Sequence, residues 1–329
     1  MTAEPKMQAA FIRTTGGTEQ IEVGDLPVPE PGPTDVLVQM EATTVNHVDL
    51  FVRSGAYPTH LSFPFILGRD LVGTVIETGS GIAGFNKGDR VWTNSLGYDG
   101  RQGTFAQYAL VSVDRLYHLP DTVQSLEAAG VLHTAATAYF GLRREAQLRP
   151  GETLFVAGGA GGVGSSVIQL ATAMGARVIT SASVRDHDWC RSLGADLVLD
   201  YRDNEIYQKL ATQTPQGIDI WWDTSGHHDF QASLPLLNKG TRVLVMAGMN
   251  ATPVLPVGQL YTQDIRLCGF AMSNASVADL AEAAETINAL LQRSQLRARL
   301  GATYRLAQAG EAHKAMEEHT VHGRILVIP

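Results

Sequence analysis

The sequence predicts an α/β chain in which a β-rich first domain gives way to a doubly wound parallel sheet. Residues 7 to about 125 run in short, alternating segments rich in β-branched residues, with Gly and Pro between them. From about 126, continuously apolar short runs alternate with longer helical stretches, the pattern of a parallel sheet covered on both faces. A glycine cluster, "AGGAGGVGS" (157–165), follows directly on the run "TLFVA". At 329 residues the chain suits two domains, since ~100–200 residues per domain is usual.

In the first region "DVLVQMEATTV" (35–45), "LVGTVIETG" (71–79), "FNKGDRVW" (85–92) and "GTFAQYALVS" (103–112) read as half-buried strands. "HVDLFVRSG" (47–55) reads as a helix. In the second, "TLFVA", "ARVITS", "IDIWWDT" and "TRVLVMAG" read as buried strands, and Val163–Met174 as the helix after the glycines. Near 274 the rhythm changes again. In "SVADLAEAAETINALL", Val277, Leu280, Ala281, Ala284, Ile287 and Leu291 line one helical face. The closing "HGRILVIP" reads as a strand that rejoins the first domain. The expected division is 1–127, 128–272 and a C-terminal return, 273–329.

Two glycine spacings overlap. Gly159, Gly161 and Gly164 fit G-x-G-x-x-G, and Gly158, Gly161 and Gly164 fit G-x-x-G-x-x-G. A strand before and a helix after are the context that a dinucleotide fingerprint requires. One glycine permits the tight turn, another lets backbone N–H groups approach a pyrophosphate, and the last lets helix and strand pack closely. The anion then meets the helix N-terminus. The whole stretch Gly158, Gly159, Ala160, Gly161, Gly162, Val163 and Gly164 is therefore expected to hold cofactor. At the end of the next strand, where an NAD site usually offers Asp or Glu, stand Ser181, Ala182 and Ser183, then Arg185. Hydroxyls and a guanidinium accept a 2′-phosphate that a carboxylate repels, so the expected cofactor is NADPH. Asp186 and Asp188 follow closely and weigh against it.

Composition narrows the class. Hydrophobic residues make up 44% and charged residues 18%, as in a globular protein with a sizeable core. The net charge is −8 and the basic residues are scattered, which argues against nucleic acid. No stretch approaches the ~18 continuous apolar residues of a membrane span. "MTAEPKMQAAF" lacks the apolar core of a secretion signal, and Cys190 and Cys268 are the only cysteines. A cytoplasmic location is expected, with both cysteines structural.

"GETLFVAGGAGGVGSSVIQLA" resembles the signature of zeta-crystallin-like quinone oxidoreductases, the zinc-independent branch of the medium-chain dehydrogenase/reductase superfamily. Phe155 and Thr172 depart mildly from the pattern. The likeness continues in "VNHVDLFVRSGAYP" (45–58), "FILGRDLVGTVIETG" (65–79), "SLGAD", "WDTSG" and "HGRILV". It implies a GroES-like catalytic domain, a Rossmann domain binding NADPH, and a homodimer joined edge to edge, through "TRVLVMAG" and "DIRLCGF". Zinc-dependent relatives use a Cys and a Gly-His-Glu motif; here the matching positions are Asn46 and Gly68-Arg69-Asp70, so no metal is expected. Scattered histidines such as His47 and His133 are read as ordinary residues.

The resemblance places Asn46, Asp49, Phe51 and Tyr57 around the active cleft. Asn46 is either a hydrogen-bond donor to substrate or the cap of its helix, and Tyr57 either a donor or a packing residue. Phe51 stands where relatives often carry Tyr. Asp49 either anchors Arg53 or holds a water, and Arg69 is expected to pair with Asp70 or an anionic ligand. By the same resemblance Thr137 and Phe270 face the nicotinamide, Tyr201 flanks the adenosine 2′-phosphate, Arg324 lies near the cofactor phosphates, and Ala247 and Gly248 follow a strand at its ligand-binding end. The implied reaction is reduction of a quinone by hydride from NADPH. The alternatives are reduction of an enone or alkenal double bond, or an NADPH-binding sensor or structural protein without turnover.

Overall fold

The computed structural model describes residues 5–329; the N-terminal reading above rests partly on residues 1–4, outside them. The chain forms two units, one made of residues up to His133 together with Ser276–Pro329, the other of Thr134–Ala275. Both boundaries fall a few residues later than the expected ones; the first cuts a helix that begins in one unit and ends in the other, and the second lies just before the helix that starts at Val277.

In the first unit β1 (Lys6–Ile12) pairs with β2 (Glu22–Pro27), and also with the short strand Phe65–Ile66. β3 (Asp35–Thr44) is the spine, followed by α1 (His47–Ser54), which Gly55 ends in the left-handed conformation at φ +80°. Next come β4 (Phe65–Ile66), β5 (Leu71–Thr78), β6 (Arg90–Thr93), β7 (Tyr108–Ser112) and β8 (Tyr117–His118). α2 (Ser125–Ala129) and α3 (Leu132–Tyr139) then lead into the second unit.

There β9 (Thr153–Ala157), α4 (Gly162–Ala173), β10 (Arg177–Ala182), α5 (His187–Ser192), β11 (Leu197–Asp200), α6 (Ile206–Gln213) and β12 (Ile218–Asp223) alternate. α7 (Phe230–Ser233), β13 (Leu237–Val245), α8 (Val257–Thr262) and β14 (Arg266–Gly269) complete it. The six strands are all parallel in the order β11-β10-β9-β12-β13-β14, the doubly wound order 3-2-1-4-5-6. β13, expected at a dimer edge, is interior, because β14 takes its open side; β14 is the edge.

The chain returns to the first unit through α9 (Val277–Gln292), β15 (Leu300–Arg305), α10 (Ala309–Glu317) and β16 (Arg324–Ile328). β16 pairs with β3, Leu326 opposite Thr44, so the predicted closing strand does rejoin the first domain. The second sheet of this unit runs β15-β16-β3-β5-β6-β8, with β7 also on β3. On α9 the buried face is Leu280, Ala283, Ala284, Ile287, Leu290 and Leu291. It is rotated from the expected face, for Val277 and Ala281 sit half-buried at its margin.

Candidate active site

The glycine loop leaves β9 and turns into α4. Gly158 holds φ +84°, a left-handed backbone that side chains disfavour. A Cβ on Gly159 would lie 2.0 Å from Thr180 Oγ1, and one on Gly164 would lie 2.2 Å from the Gly158 carbonyl oxygen. Their lack of a side chain is demanded by packing. At Gly161 a Cβ would meet nothing nearer than the Gly158 oxygen at 3.4 Å, so packing makes no such demand there. The Gly158 and Gly159 N–H groups donate to the Ser181 carbonyl at 3.2 and 3.0 Å, which ties the loop to β10. Gly161 caps α4, and the first-turn N–H groups of Gly162, Val163 and Gly164 have no acceptor within the helix. Those donors, with Ala160 before them, form a cradle that fits an anion.

At the ends of β10 and β11, Ser183 donates its hydroxyl to Asp186 Oδ2 at 2.7 Å. Ser181 is 4% exposed. Arg185 is mostly exposed and lies 3.5 Å from Asp186. Tyr201 is exposed, and Arg202, which sequence reasoning did not select, stacks over its ring at 5.2 Å. Ala182 and Asp200 are register partners, so these side chains gather at one edge of the sheet. In "WDTSG", Asp223 Oδ1 accepts the N–H groups of Ser225 (2.7 Å) and Gly226 (3.1 Å), and Thr224 bonds the Ala157 carbonyl. Ala247 and Gly248 turn beyond β13, both at φ +63°. Thr137 is buried on α3, and Phe270 meets the Trp222 ring edge-on at 6.0 Å.

In the first unit the sequence-predicted residues meet several that sequence reasoning did not join. Asn46 starts α1, and Asp49 Oδ2 accepts its backbone N–H at 2.7 Å. The Asn46 amide is 2% exposed and committed inward: Oδ1 accepts Arg324 Nη2 at 2.6 Å, and Nδ2 lies 3.3 Å from both Asp70 Oδ2 and Thr44 Oγ1. Thr44 also donates its backbone N–H to Asp70, at 3.1 Å, and its hydroxyl to the same carboxylate. Of the two alternatives for Asn46, its place at the N-cap of α1 is the one seen, and its amide is a link in a buried network, because a buried amide must find partners. A second expectation changes. Arg324, expected at cofactor phosphates, is 8% exposed and donates to Asn46, Thr44 and the Gly130 carbonyl.

Burial pushes the Asp70 carboxyl up, and Arg324, Thr44 and Asn46 pull it back. Burial also pushes Asp49 up to about 7, against the Asn46 N–H bond, with the Asp70 charge adding to the rise. Asp49 does not anchor Arg53; that guanidinium, one turn along α1, bonds the Gly16 carbonyl and Glu317 of α10. Nor does Arg69 turn to Asp70. It is 1% exposed, donates to the Gly97 carbonyl at 3.3 Å and stacks over the Tyr98 ring at 5.1 Å. The Tyr57 and Tyr98 rings lie 5.7 Å apart. Phe51, half-buried on α1, accepts the Tyr57 N–H at its carbonyl. Tyr57 is half-buried against the core.

A family described as alcohol dehydrogenase GroES-like domain matches residues 32–121, and one described as zinc-binding dehydrogenase matches 162–289. A mouse quinone oxidoreductase is 28% identical over 327 residues, 98% of this chain and 96% of that protein. The crystal structure of an NAD-dependent alcohol dehydrogenase is 30% identical with a TM-score of 0.89, covering 98% of this chain and 100% of that one. A mycobacterial protein complexed with NADPH is 28% identical with a TM-score of 0.84, covering 98% and 100%.

The residues present do not fit zinc. Zinc takes thiolate, imidazole or carboxylate donors in a tetrahedron. Here the Asn46 oxygen already faces the Arg324 cation, and the Asp70 carboxylate is taken up by Thr44 and Asn46. Both cysteines, Cys190 and Cys268, belong to the second unit. Among the described residues no three His, Cys, Asp or Glu side chains could hold a metal ion. A six-stranded dinucleotide sheet, a GroES-like first domain and full-length likeness to such oxidoreductases converge: the chain belongs to the quinone oxidoreductase-like family of the medium-chain dehydrogenase/reductase superfamily.

Proposed function

We propose that this protein reduces quinones with NADPH at a metal-free site, with Tyr57 as the donor to the substrate oxygen. The observation that carries it is the contrast between Asn46, whose amide is spent inside the network, and Tyr57, a half-buried residue whose hydroxyl would reach a ligand. When bound, the nicotinamide supplies the hydride. Addition of hydride to a quinone leaves negative charge on oxygen, which a positioned hydroxyl stabilises. Tyr57 gives that hydrogen bond, and solvent supplies the proton that completes the hydroquinone. Asp49, Asp70, Asn46 and Arg324 fix the start of α1, and with it the loop that ends in Tyr57.

Gly162, Val163 and Gly164 would hold the pyrophosphate through backbone N–H groups. Arg185 and Arg202, with the Ser183 hydroxyl, favour a 2′-phosphate at the ends of β10 and β11, and this supports NADPH over NADH. The relative solved with NADPH accords with that choice. The free edge of β14, beside the exposed apolar side chains Val257, Tyr261 and Leu267, suits a second copy of the chain. The test is NADPH oxidation, with NADH alongside, against a benzoquinone, a naphthoquinone, an alkenal and a cyclic enone. Faster turnover of the quinones is expected, with Tyr57→Phe lowering it by roughly a hundredfold. Turnover confined to the alkenal or enone would make this a double-bond reductase instead.

A further inference from the structure

A cavity of about 510 Å³ lies within the first unit beside β7, and none of Asn46, Asp49, Phe51 or Tyr57 lines it. That volume falls in the range of small-ligand pockets, roughly 300–1,000 Å³. Its first wall comes from the β1–β2 pair, where register sets Met7 opposite Leu26. Leu110 of β7 belongs to the second. Phe63 and Pro64, with the turn at residues 100–103, make the third. Hydrogen bonds hold this third wall in place. Gln102 Oε1 accepts the Ile66 N–H at 2.7 Å, and its Nε2 donates to the Ser62 and Pro64 carbonyls, both at 3.1 Å. The Gly103 N–H bonds the Ile66 carbonyl at 2.9 Å, and the Gly100 N–H bonds the His60 carbonyl at 3.1 Å. The cavity is therefore formed in advance of any ligand. Phe63 in its lining is 48% exposed.

Arg101 is the cation of the lining. Its Nε donates to the Ser95 carbonyl at 3.2 Å. Its Nη1 lies 3.8 Å from Asp99 Oδ2, beyond hydrogen-bond range, and that carboxylate is 74% exposed. Among the described residues the terminal nitrogens of Arg101 have no hydrogen-bond acceptor, although its side chain is only 27% exposed. The carboxylate of the lining, Asp35, sits opposite Ser112 at the C-terminal end of β7 and already accepts the Gly32 N–H at 3.2 Å. We propose that this cavity binds a small anionic amphiphile, a medium-chain carboxylate, with its head on Arg101 and its chain against Met7, Leu26 and Leu110. A guanidinium gives a carboxylate charge-assisted hydrogen bonds, stronger than those between neutral groups. Partial burial strengthens them further, because water screens them less. The apolar walls take the chain out of water, which favours binding in proportion to the area covered. The site is separate from the candidate active site and does not depend on the reading of Tyr57.

The experiment is calorimetry on the full chain with octanoate, decanoate and 1-octanol. Octanoate should bind one to one. Decanoate should bind about tenfold more tightly, because two further methylenes leave water, and 1-octanol about tenfold more weakly, because it lacks the charge. Saturating NADPH or cyclohexenone should leave all three affinities unchanged. Arg101→Gln should lower octanoate affinity about tenfold and leave that of 1-octanol as it was. Leu26→Trp, a half-buried position on the edge strand β2, fills part of the cavity and should weaken all three ligands. No saturable binding to the wild-type protein, or displacement by NADPH or cyclohexenone, would overturn the inference. So would equal losses of octanoate and 1-octanol in Arg101→Gln, or wild-type affinities in Leu26→Trp. The chain-length and competition series use the unaltered protein and decide the matter whether or not a variant folds.

Discussion

Around α1 the protein encloses Asp49, Arg53, Arg69, Asp70 and Arg324, none more than 8% exposed, whereas around the glycine loop the buried polar groups are mainly Ser165, Ser166, Thr180 and Ser181. The two buried carboxylates of the second unit are spent locally, Asp186 on Ser183 and Asp223 on Ser225 and Gly226. Buried charge is costly and stays only when paired and hydrogen-bonded. The first unit bears that cost in one coupled network at the start of α1. The second unit needs only to present backbone N–H groups to an anion, and for that glycines and hydroxyls suffice.

If the charged cluster is as coupled as its geometry indicates, removing one member should cost more than any change in the loop. Arg324→Met leaves Asp70 buried without its cation, and should lower stability by about 3–5 kcal/mol, read by urea unfolding. Adding Asp70→Asn should recover part of the loss, and a cost below about 1 kcal/mol, the scale of an exposed pair, would show the network to be weakly coupled.

The pH dependence sharpens the same contrast. Asp49 sits at about 7 in the folded chain, against about 4 for an unfolded carboxyl. Between those values the folded state holds a proton that the unfolded state has released, so stability falls as pH rises from about 4 to 7 and levels off above. Asp49→Asn keeps an acceptor for the Asn46 N–H and removes that slope. Its stability relative to the parent should rise across the window by about 2–4 kcal/mol. Parallel curves for the two proteins would place the titration elsewhere.

The loop should respond through binding alone. Gly161→Val fits the fold, because its φ of −70° and ψ of 168° are open to a β-branched residue and a Cβ there meets only the Gly158 oxygen. It should weaken NADPH binding by about a hundredfold or more, as a side chain now stands where the pyrophosphate must approach the backbone, while the melting temperature without cofactor stays put. The smallest effect belongs to Arg185→Ala. Calorimetry should show about a tenfold loss for NADPH and little for NADH; equal losses would remove Arg185 from the site.

Much of this was legible in the sequence. The strand–glycine–helix order, the change of rhythm after the first domain and the closing strand follow from residue periodicity and backbone chemistry within short windows. So does α1, whose start and Gly55 stop are local signals. A nicotinamide-cofactor site was legible for the same reason, since the strand, the glycines and the helix lie within one βαβ unit. What the sequence could not carry was pairing across distance. Arg324 was placed at the phosphates, but it closes on Asn46, 278 residues away. Arg69 was given either its neighbour Asp70 or an anionic ligand, but Asp70 bonds Thr44. Tyr98 drew no attention because only the folded turn brings it to Tyr57. Local order is set by steric and hydrogen-bonding preferences that each residue carries with it. Which buried charges neutralise one another depends on which strands and helices are brought together, and the tertiary structure alone decided that.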